Sequence, residues 1–315
     1  MNSVGRGADA HVLSWSDFPE GFTPFFLNPA GADLETKEIG PGTYALLSTI
    51  PNVDNAGFVV GERGVLVIDA HINVPMARLI QERVREVTDR PILYLVNSNY
   101  HGDHTFGNCA FPEDTLIVQH RRTAALVPFF EEEKEFMLPC VGGDPAVFEG
   151  VTLRPPDIAA GDYLRIDLGG REVELHHFGP ANTPGDTVTY VPEARAAWTG
   201  NMTGGNLIVA LESDAPAYMD AIARFARTLE VETLIPAHNP ISGAGVLDGY
   251  LIYLGQVTRA VRRALGNGWS LPEAMERIPL DMHQPYSPPA DHPRIEFFRD
   301  LHAYNVQKTY RSLAG

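Results

Sequence analysis

A chain of 315 residues can bury a full hydrophobic core, and 44% hydrophobic with 20% charged residues is the balance of an ordinary globular protein. A formal charge of −16 argues against the basic face that phosphate binding needs, so nucleic acid is not an expected partner. Cys109 and Cys140 make no disulfide framework, Met1 to Ser14 has no apolar signal-type core, and no run of about 18 apolar residues is present, so a cytoplasmic protein without a membrane span is expected.

Residues 1–42 read as an arm, mostly loop. Trp15 to Phe26 is aromatic and broken by Pro19 and Pro24, which rules out a long helix. A cover for core surface, a homodimer contact and a pocket wall are the roles open to it. Strands are predicted over Thr43–Thr49, Gly57–Val60 and Val65–Ile68, the last two flanking a hairpin loop at Gly61–Gly64. Asn73-Val74-Pro75 opens a helix with a cap residue and an early proline, and Met76, Leu79, Ile80, Val84 and Val87 form its core stripe. Pro91 to Val96 is a short buried strand, and Thr115 to Val118 another.

Residues 121–160 are less regular. Glu131-Glu132-Glu133-Lys134-Glu135 reads as a solvated helical face beside Phe129, Phe130, Phe136, Met137 and Leu138. Cys140 to Pro145 reads as a flexible turn, and the segment is either a pocket wall or lid or plain surface packing. Tyr163–Asp167 with Arg171–Phe178, and Val188–Val191 with Ala196–Trp198, make two more strand pairs. Asp214-Ala215-Pro216 opens a helix with Tyr218, Met219, Ile222, Phe225 and Leu229 inward, and Thr233–Pro236 is the last strand. Beyond Ser242 the pattern is helical: Val246–Leu265, a capping box at Ser270–Glu273, and Asp291–Ser312 after the Pro-rich stretch Pro285–Pro293.

Strands in two groups, each with helices to cover one face, predict an α/β protein. Its form is an αββα sandwich over 43–242, with an arm at 1–42 and a C-terminal helical extension at 243–315.

The strand ending at Val96 runs into Asn97-Ser98-Asn99-Tyr100-His101-Gly102-Asp103-His104. Two histidines and an aspartate within four residues, at the end of a rigid strand, can converge on one metal ion. Asn99-Tyr100-His101-Gly102-Asp103-His104 resembles the His-x-His-x-Asp-His signature of the metallo-β-lactamase superfamily, with Asn at the first His position. Gly179 to Asp186 resembles the family's Gly-x-x-His-Thr-x-Gly-Asp segment, with Asn182 for His. Thr199-Gly200-Asn201 resembles the segment whose Asp bridges two metals, and Ile235-Pro236-Ala237-His238 the strand end bearing the last ligand His.

The resemblance implies two metal sites, of which this chain keeps one. The first retains only His101, since Asn99 and Asn182 replace histidines and Asn201 the bridging carboxylate. The second keeps Asp103, His104 and His238, and Asp69 stands where the family supplies a carboxylate that orients a ligand. The expectation is a mononuclear centre holding one divalent ion, Zn2+ first and Fe2+ second. His101 and Asp103 are the expected catalytic residues, with His101 a free imidazole acting as general base. Asn99, Tyr100, Asn182 and Asn201 are candidates to contact substrate or a developing oxyanion. His176, His177, His71, His120, His283, His292 and His302 are read as structural.

The resemblance lies close to the branch with aromatic polyketide cyclases and thioesterases. It implies a small-molecule or carrier-tethered acyl substrate and either hydrolysis of a thioester, lactone or ester, or cyclisation of a polyketide. A non-haem Fe(II) oxygenase and an inactive ligand-binding descendant are the alternatives.

Overall fold

The computed structural model describes residues 12–203, 212–282 and 287–315. His283 and Pro285, both placed in the readings above, lie outside them.

One sheet runs in chain order through β1 (Leu34–Gly40), β2 (Thr43–Ser48), β3 (Ala56–Val60), β4 (Val65–Ile68), β5 (Ile92–Val96), β6 (Leu116–His120) and β7 (Ile158–Ala160). Its first four strands are antiparallel, and β4 through β7 run parallel. The second sheet has the order β12 (Thr233–Pro236), β11 (Ala196–Gly200), β10 (Val188–Val191), β9 (Glu172–His176), β8 (Tyr163–Asp167). Only the β11/β12 pair in it is parallel.

Strand alternation builds the layers. In β4, Leu66 and Ile68 point to the inter-sheet core with Val96, Val118, Val173, Leu175, Trp198 and Ile235. Val65 and Val67 point the other way, onto α1 (Val74–Val87) through Met76, Ile80 and Val84. The Trp198 indole N–H crosses the sandwich to donate to Ala56 O at 3.1 Å. The outer face of the second sheet is covered by α5 (Ala215–Thr228) and α6 (Val246–Gly266), with Tyr218, Ile222, Phe225, Tyr250 and Leu254 inward. Asn73 caps α1 through Met76 N, and Asp214 caps α5 through Ala217 N. The αββα sandwich therefore forms as predicted, with α7 (Leu271–Arg277) and α8 (Ile295–Ala314) as a helical extension. Among the described residues no helix is long and apolar enough to cross a membrane.

Several local expectations are corrected. Leu34–Gly40 was read as arm but pairs along β2 as the edge strand, its Leu34 buried against α1. Alternation in Leu-Glu-Thr-Lys-Glu-Ile is weak because the middle of the strand is exposed and only its ends are covered. Val87 is exposed, and α8 starts at Ile295 rather than Asp291. In the 121–160 segment, α4 (Phe130–Cys140) follows the short α3 (Arg121–Ala124). The aromatic arm is fastened rather than loose. Phe18 stacks on Tyr304 of α8 at 4.3 Å, Trp15 stacks on Phe136 of α4 at 4.8 Å, and Gln307 donates to Asp17 O.

Candidate metal centre

Strand register gathers the site at one end of the sandwich. Ile68 pairs with Val96, and Gly57 with Ile68, so Asp69, the loop after Val96 and the loop before Ala56 leave the first sheet together. Gly200 pairs with Pro236, which puts Asn201 and His238 at the same end of the second sheet. Two hydrogen bonds sew the sheets together there: Asn55 N to Ala237 O at 2.6 Å and Thr187 N to Ser98 O at 2.7 Å. The loop after β5 then closes into one helical turn, α2 (Gly102–Thr105), carrying Asp103 and His104.

One ligand atom from each of Asp54, Asp103, His104 and His238 lies within 4.8 Å of the others. His238 Nε2 is 3.1 Å from Asp103 Oδ2, and His104 Nε2 is 3.6 Å from the same oxygen. Each imidazole is tied from behind. His104 Nδ1 meets Asp69 Oδ2 at 3.0 Å, and His238 Nδ1 meets Asn52 O at 2.9 Å. An acceptor at Nδ1 leaves Nε2 as the ligating nitrogen, the arrangement metal-binding histidines use. Asp69 is itself held by Ser98 N at 2.7 Å and Ser98 Oγ at 2.8 Å, in a left-handed backbone conformation with φ 62°.

The electrostatics point the same way. Burial and the neighbouring Asp103 charge push Asp54 well above the usual carboxylate range. Burial opposes ionisation of Asp103 too, but His104 and His238 outweigh it and hold Asp103 far below that range. Burial alone would lower His104; the Asp103 and Asp69 carboxylates push it up to about 10. Protons are thus crowded onto imidazoles and a carboxyl between buried acids, which is the charge a divalent cation displaces on binding. Both Asp54 carboxylate oxygens and Asp103 Oδ1 are buried with no hydrogen-bond partner among the described residues. Leaving such atoms bare costs about 1–3 kcal/mol each, more if charged. Four convergent donors with bare oxygens fit a metal ion, and a His/Asp group able to hold one is what the chain presents.

Of the sequence candidates, Asp103, His104 and His238 come together. Asn201 joins them, its Oδ1 3.2 Å from His104 Nε2. His101, Asp103, Asn182, Asn201 and His238 line a common cleft. Two candidates do not. Asn99 is fully buried and folds back to accept from His101 N at 2.8 Å. Tyr100 turns away from that cleft, donating to Glu212 Oε1 at 3.0 Å and accepting from Leu13 N at 3.1 Å, beside Val12 and Leu126.

His101 is not the free imidazole expected. Its Nδ1 meets Glu133 Oε1 at 3.0 Å and its Nε2 meets Glu212 Oε1 at 2.9 Å. Burial alone would lower it, but the two glutamates outweigh burial and raise it well above the usual imidazole range. A histidine donating from both nitrogens is a held cation, not a base.

Three site residues escaped the sequence reading. Glu133 hid in an acidic run, although it shares a helical face with Phe136, Met137 and Cys140 at offsets of three, four and seven, all buried. That phase was the signal. Asp54 sits in a short loop between strands at the same end as the signature, and Glu212 carried no signal. Of the histidines read as structural, His120 stacks on His177 at 4.0 Å, and His71 is fully buried, its imidazole lowered to about 3 by burial.

The sequence pattern of the metallo-beta-lactamase superfamily matches residues 50–238, more than half of the chain and the whole span from Asp54 to His238. The chain belongs to that superfamily. Among its relatives is the linear primary-alkylsulfatase of Pseudomonas sp. (strain ATCC 19151), 21% identical over 260 residues that make up 70% of this chain and 49% of that protein. The stereoselective inverting sec-alkylsulfatase Pisa1 from Pseudomonas sp. superposes with a TM-score of 0.63 at 18% identity, over 90% of this chain and 50% of that one. A metallo-beta-lactamase from Pontibacter korlensis superposes at 0.58 with 17% identity, over 71% of this chain and 99% of that one. The chain spans about half the length of either sulfatase. At these identities the superpositions speak for the fold.

The cleft is walled by three separate parts of the chain. Phe25 and Leu27 come from the arm, Phe136, Met137 and Cys140 from α4, and Phe297, Phe298 and Leu301 from α8. The 121–160 segment and the C-terminal extension are therefore pocket walls. An apolar throat leads to a polar floor of carboxylates and imidazoles.

Proposed function

We propose that this superfamily member is a one-metal hydrolase acting on an ester, thioester or sulfate ester that carries an apolar chain. The observation behind this reading is the convergence of Asp54, Asp103 and two oriented Nε2 atoms at the floor of an apolar-walled cleft. A bound ion would supply Lewis acidity and a water of lowered pKa. Two imidazoles with carboxylates suit Zn2+.

The chain's own residues have distinct tasks. Asp69 and Asn52 fix the His104 and His238 tautomers, so both nitrogens stay aimed at one point. Asn182 and Asn201 place amide groups on the cleft wall, where they would meet negative charge developing on the substrate's oxygens. His101, held by Glu133 and Glu212, puts a fixed positive group where the resemblance locates the lost first metal. Phe136, Phe298 and Leu301 exclude water and take the chain of the substrate.

Carboxylic and thioester substrates follow from the acyl reading of the sequence. Alkyl sulfates are favoured by the sulfatase relative. Cyclisation of a polyketide would draw on the same polarisation of a carbonyl, but the relatives named above lend it no support. Iron(II) with oxygen chemistry would use the same ligands.

The test is metal content by mass spectrometry on protein purified without air, with Asp103→Ala beside it. Turnover is then measured on acyl p-nitrophenyl esters, acyl thioesters, lactones and alkyl sulfates. One zinc per chain, with metal and turnover lost together in the variant, is expected. Iron with oxygen uptake would transfer the assignment to oxygenation, and full turnover in chelated protein would overturn it.

A further inference from the structure

The cleft holds one cation that the hydrolytic reading leaves unused. Arg294 lines it from the start of α8, half-buried, with its guanidinium carbon 4.2 Å from the centroid of the Phe297 ring. Many other arginines of this acidic chain meet a carboxylate, among them Arg63, Arg83, Arg165, Arg171 and Arg299. Arg294 makes no side-chain hydrogen bond and no ion pair among the described residues. Loss of water lowers its pKa, with no neighbouring charge acting on it.

A partly dehydrated guanidinium with no anion beside it among the described residues is a cost that the fold retains. With its guanidinium carbon over the Phe297 ring and no side-chain hydrogen bond among the described residues, Arg294 keeps N–H donors of the kind that grip two oxygens at once. Phe25, Phe298 and Leu301 line the same cleft with apolar side chains. A net charge of −16 repels anions from the protein at large, so an anion that enters this cleft needs a local cation to hold it.

We propose that Arg294 is a specificity residue that reads an oxyanion, a carboxylate or a sulfate, on an apolar substrate chain. This rests on the hydrolytic reading of the same cleft. The oxyanion has two possible sources: a carboxylate at the far end of an ester-bearing chain, or the sulfate of the ester being cleaved.

The metal-loaded full chain is assayed on three substrates: monoethyl octanedioate, which carries a free carboxylate, neutral diethyl octanedioate, and octyl sulfate. Wild type, Arg294→Gln and Arg294→Lys are compared by kcat/KM. The expected result is a preference of about tenfold or more for monoester over diester, the loss typical of one charged hydrogen-bonding partner. Arg294→Gln brings the two esters together, and Arg294→Lys restores part of the gap. If instead octyl sulfate is turned over and only that reaction falls in Arg294→Gln, the oxyanion is the reacting group and the proposal stands. Equal rates on both esters with octyl sulfate turnover insensitive to Arg294→Gln, or a preference that survives that variant, overturns it.

If no substrate turns over, the hydrolytic reading fails and calorimetric titration decides Arg294 separately. Octanedioate binding weakened about tenfold by Arg294→Gln, with octanol binding alike in both proteins, supports it. Equal octanedioate binding refutes it.

Discussion

Replacing Asp69 by Asn tests whether the site is oriented from behind. Asn tolerates the left-handed backbone found there, so the change isolates one oxygen. Asp69 Oδ1 accepts from Ser98 N, and Oδ2 accepts from both Ser98 Oγ and His104 Nδ1. In the variant the amide oxygen stays on Ser98 N, because that donor cannot turn. The amide N–H2 then faces Nδ1, which must become an acceptor. His104 responds by carrying its proton on Nε2, the atom that should hold the ion. Losing a charge-assisted bond to a buried ligand is worth about 1.5–3 kcal/mol. Measured losses of such supporting partners, about 10–100-fold in metal affinity, span the same range. The assay is competition against a chelator of known affinity, read by mass spectrometry, with thermal denaturation as the control on folding. Affinity equal to wild type would refute the tautomer argument. A loss as complete as that of Asp103→Ala would show instead that Asp69 is itself a ligand.

Glu133→Ala strips a buried acceptor from both His101 Nδ1 and Gly102 N, and breaking such a pair should cost about 3–5 kcal/mol in urea denaturation, against a smaller loss for Glu133→Gln. Gly57→Ala would put a methyl 2.2 Å from the Trp198 indole nitrogen, so thermal stability should fall by the equivalent of about 1–3 kcal/mol; an unchanged midpoint would contradict the inter-sheet spacing. His302 is satisfied as a neutral ring between Tyr253 Oη and Ile278 O, and burial lowers its pKa to about 4. The unfolded chain binds this proton first, so its contribution is full above about pH 6.5 and drains away as pH falls toward 4, by up to about 1.4 kcal/mol per unit. Denaturation at pH 7 and pH 5 should show a shallower pH slope in His302→Gln than in wild type; equal slopes would place the acid sensitivity elsewhere.

The sandwich was legible because strands covered on both faces leave short apolar runs between turns, as in β4, and helices leave a stripe, as in α1. The metal-loop residues were legible because His-x-Asp-His serves packing poorly. Edge strand β1 was not, since half of it faces water and carries charge. The carboxylates Asp54, Glu133 and Glu212 were invisible for a shared reason. Each acts through a partner far away in the sequence, such as His238 for Asp54 and His101 for both glutamates, and a lone acid in a loop or a charge run looks solvated until that partner arrives. Asn99 was placed beside the metal by its position in the signature and Tyr100 by adjacency, but successive residues in a tight loop point in different directions.

The clasp between the arm and α8 has a bearing on how the molecule is made. The bond from Gln307 to Asp17 O spans 290 residues, and Phe18 waits for Tyr304 across a similar distance. During synthesis the early aromatic residues emerge long before the helix that covers them, and closing so long a loop is entropically slow. The throat of the cleft is therefore finished last. Until α8 docks, the nascent chain shows a sticky aromatic flank to its surroundings, and the window for misassociation closes only when that helix has been made and has packed.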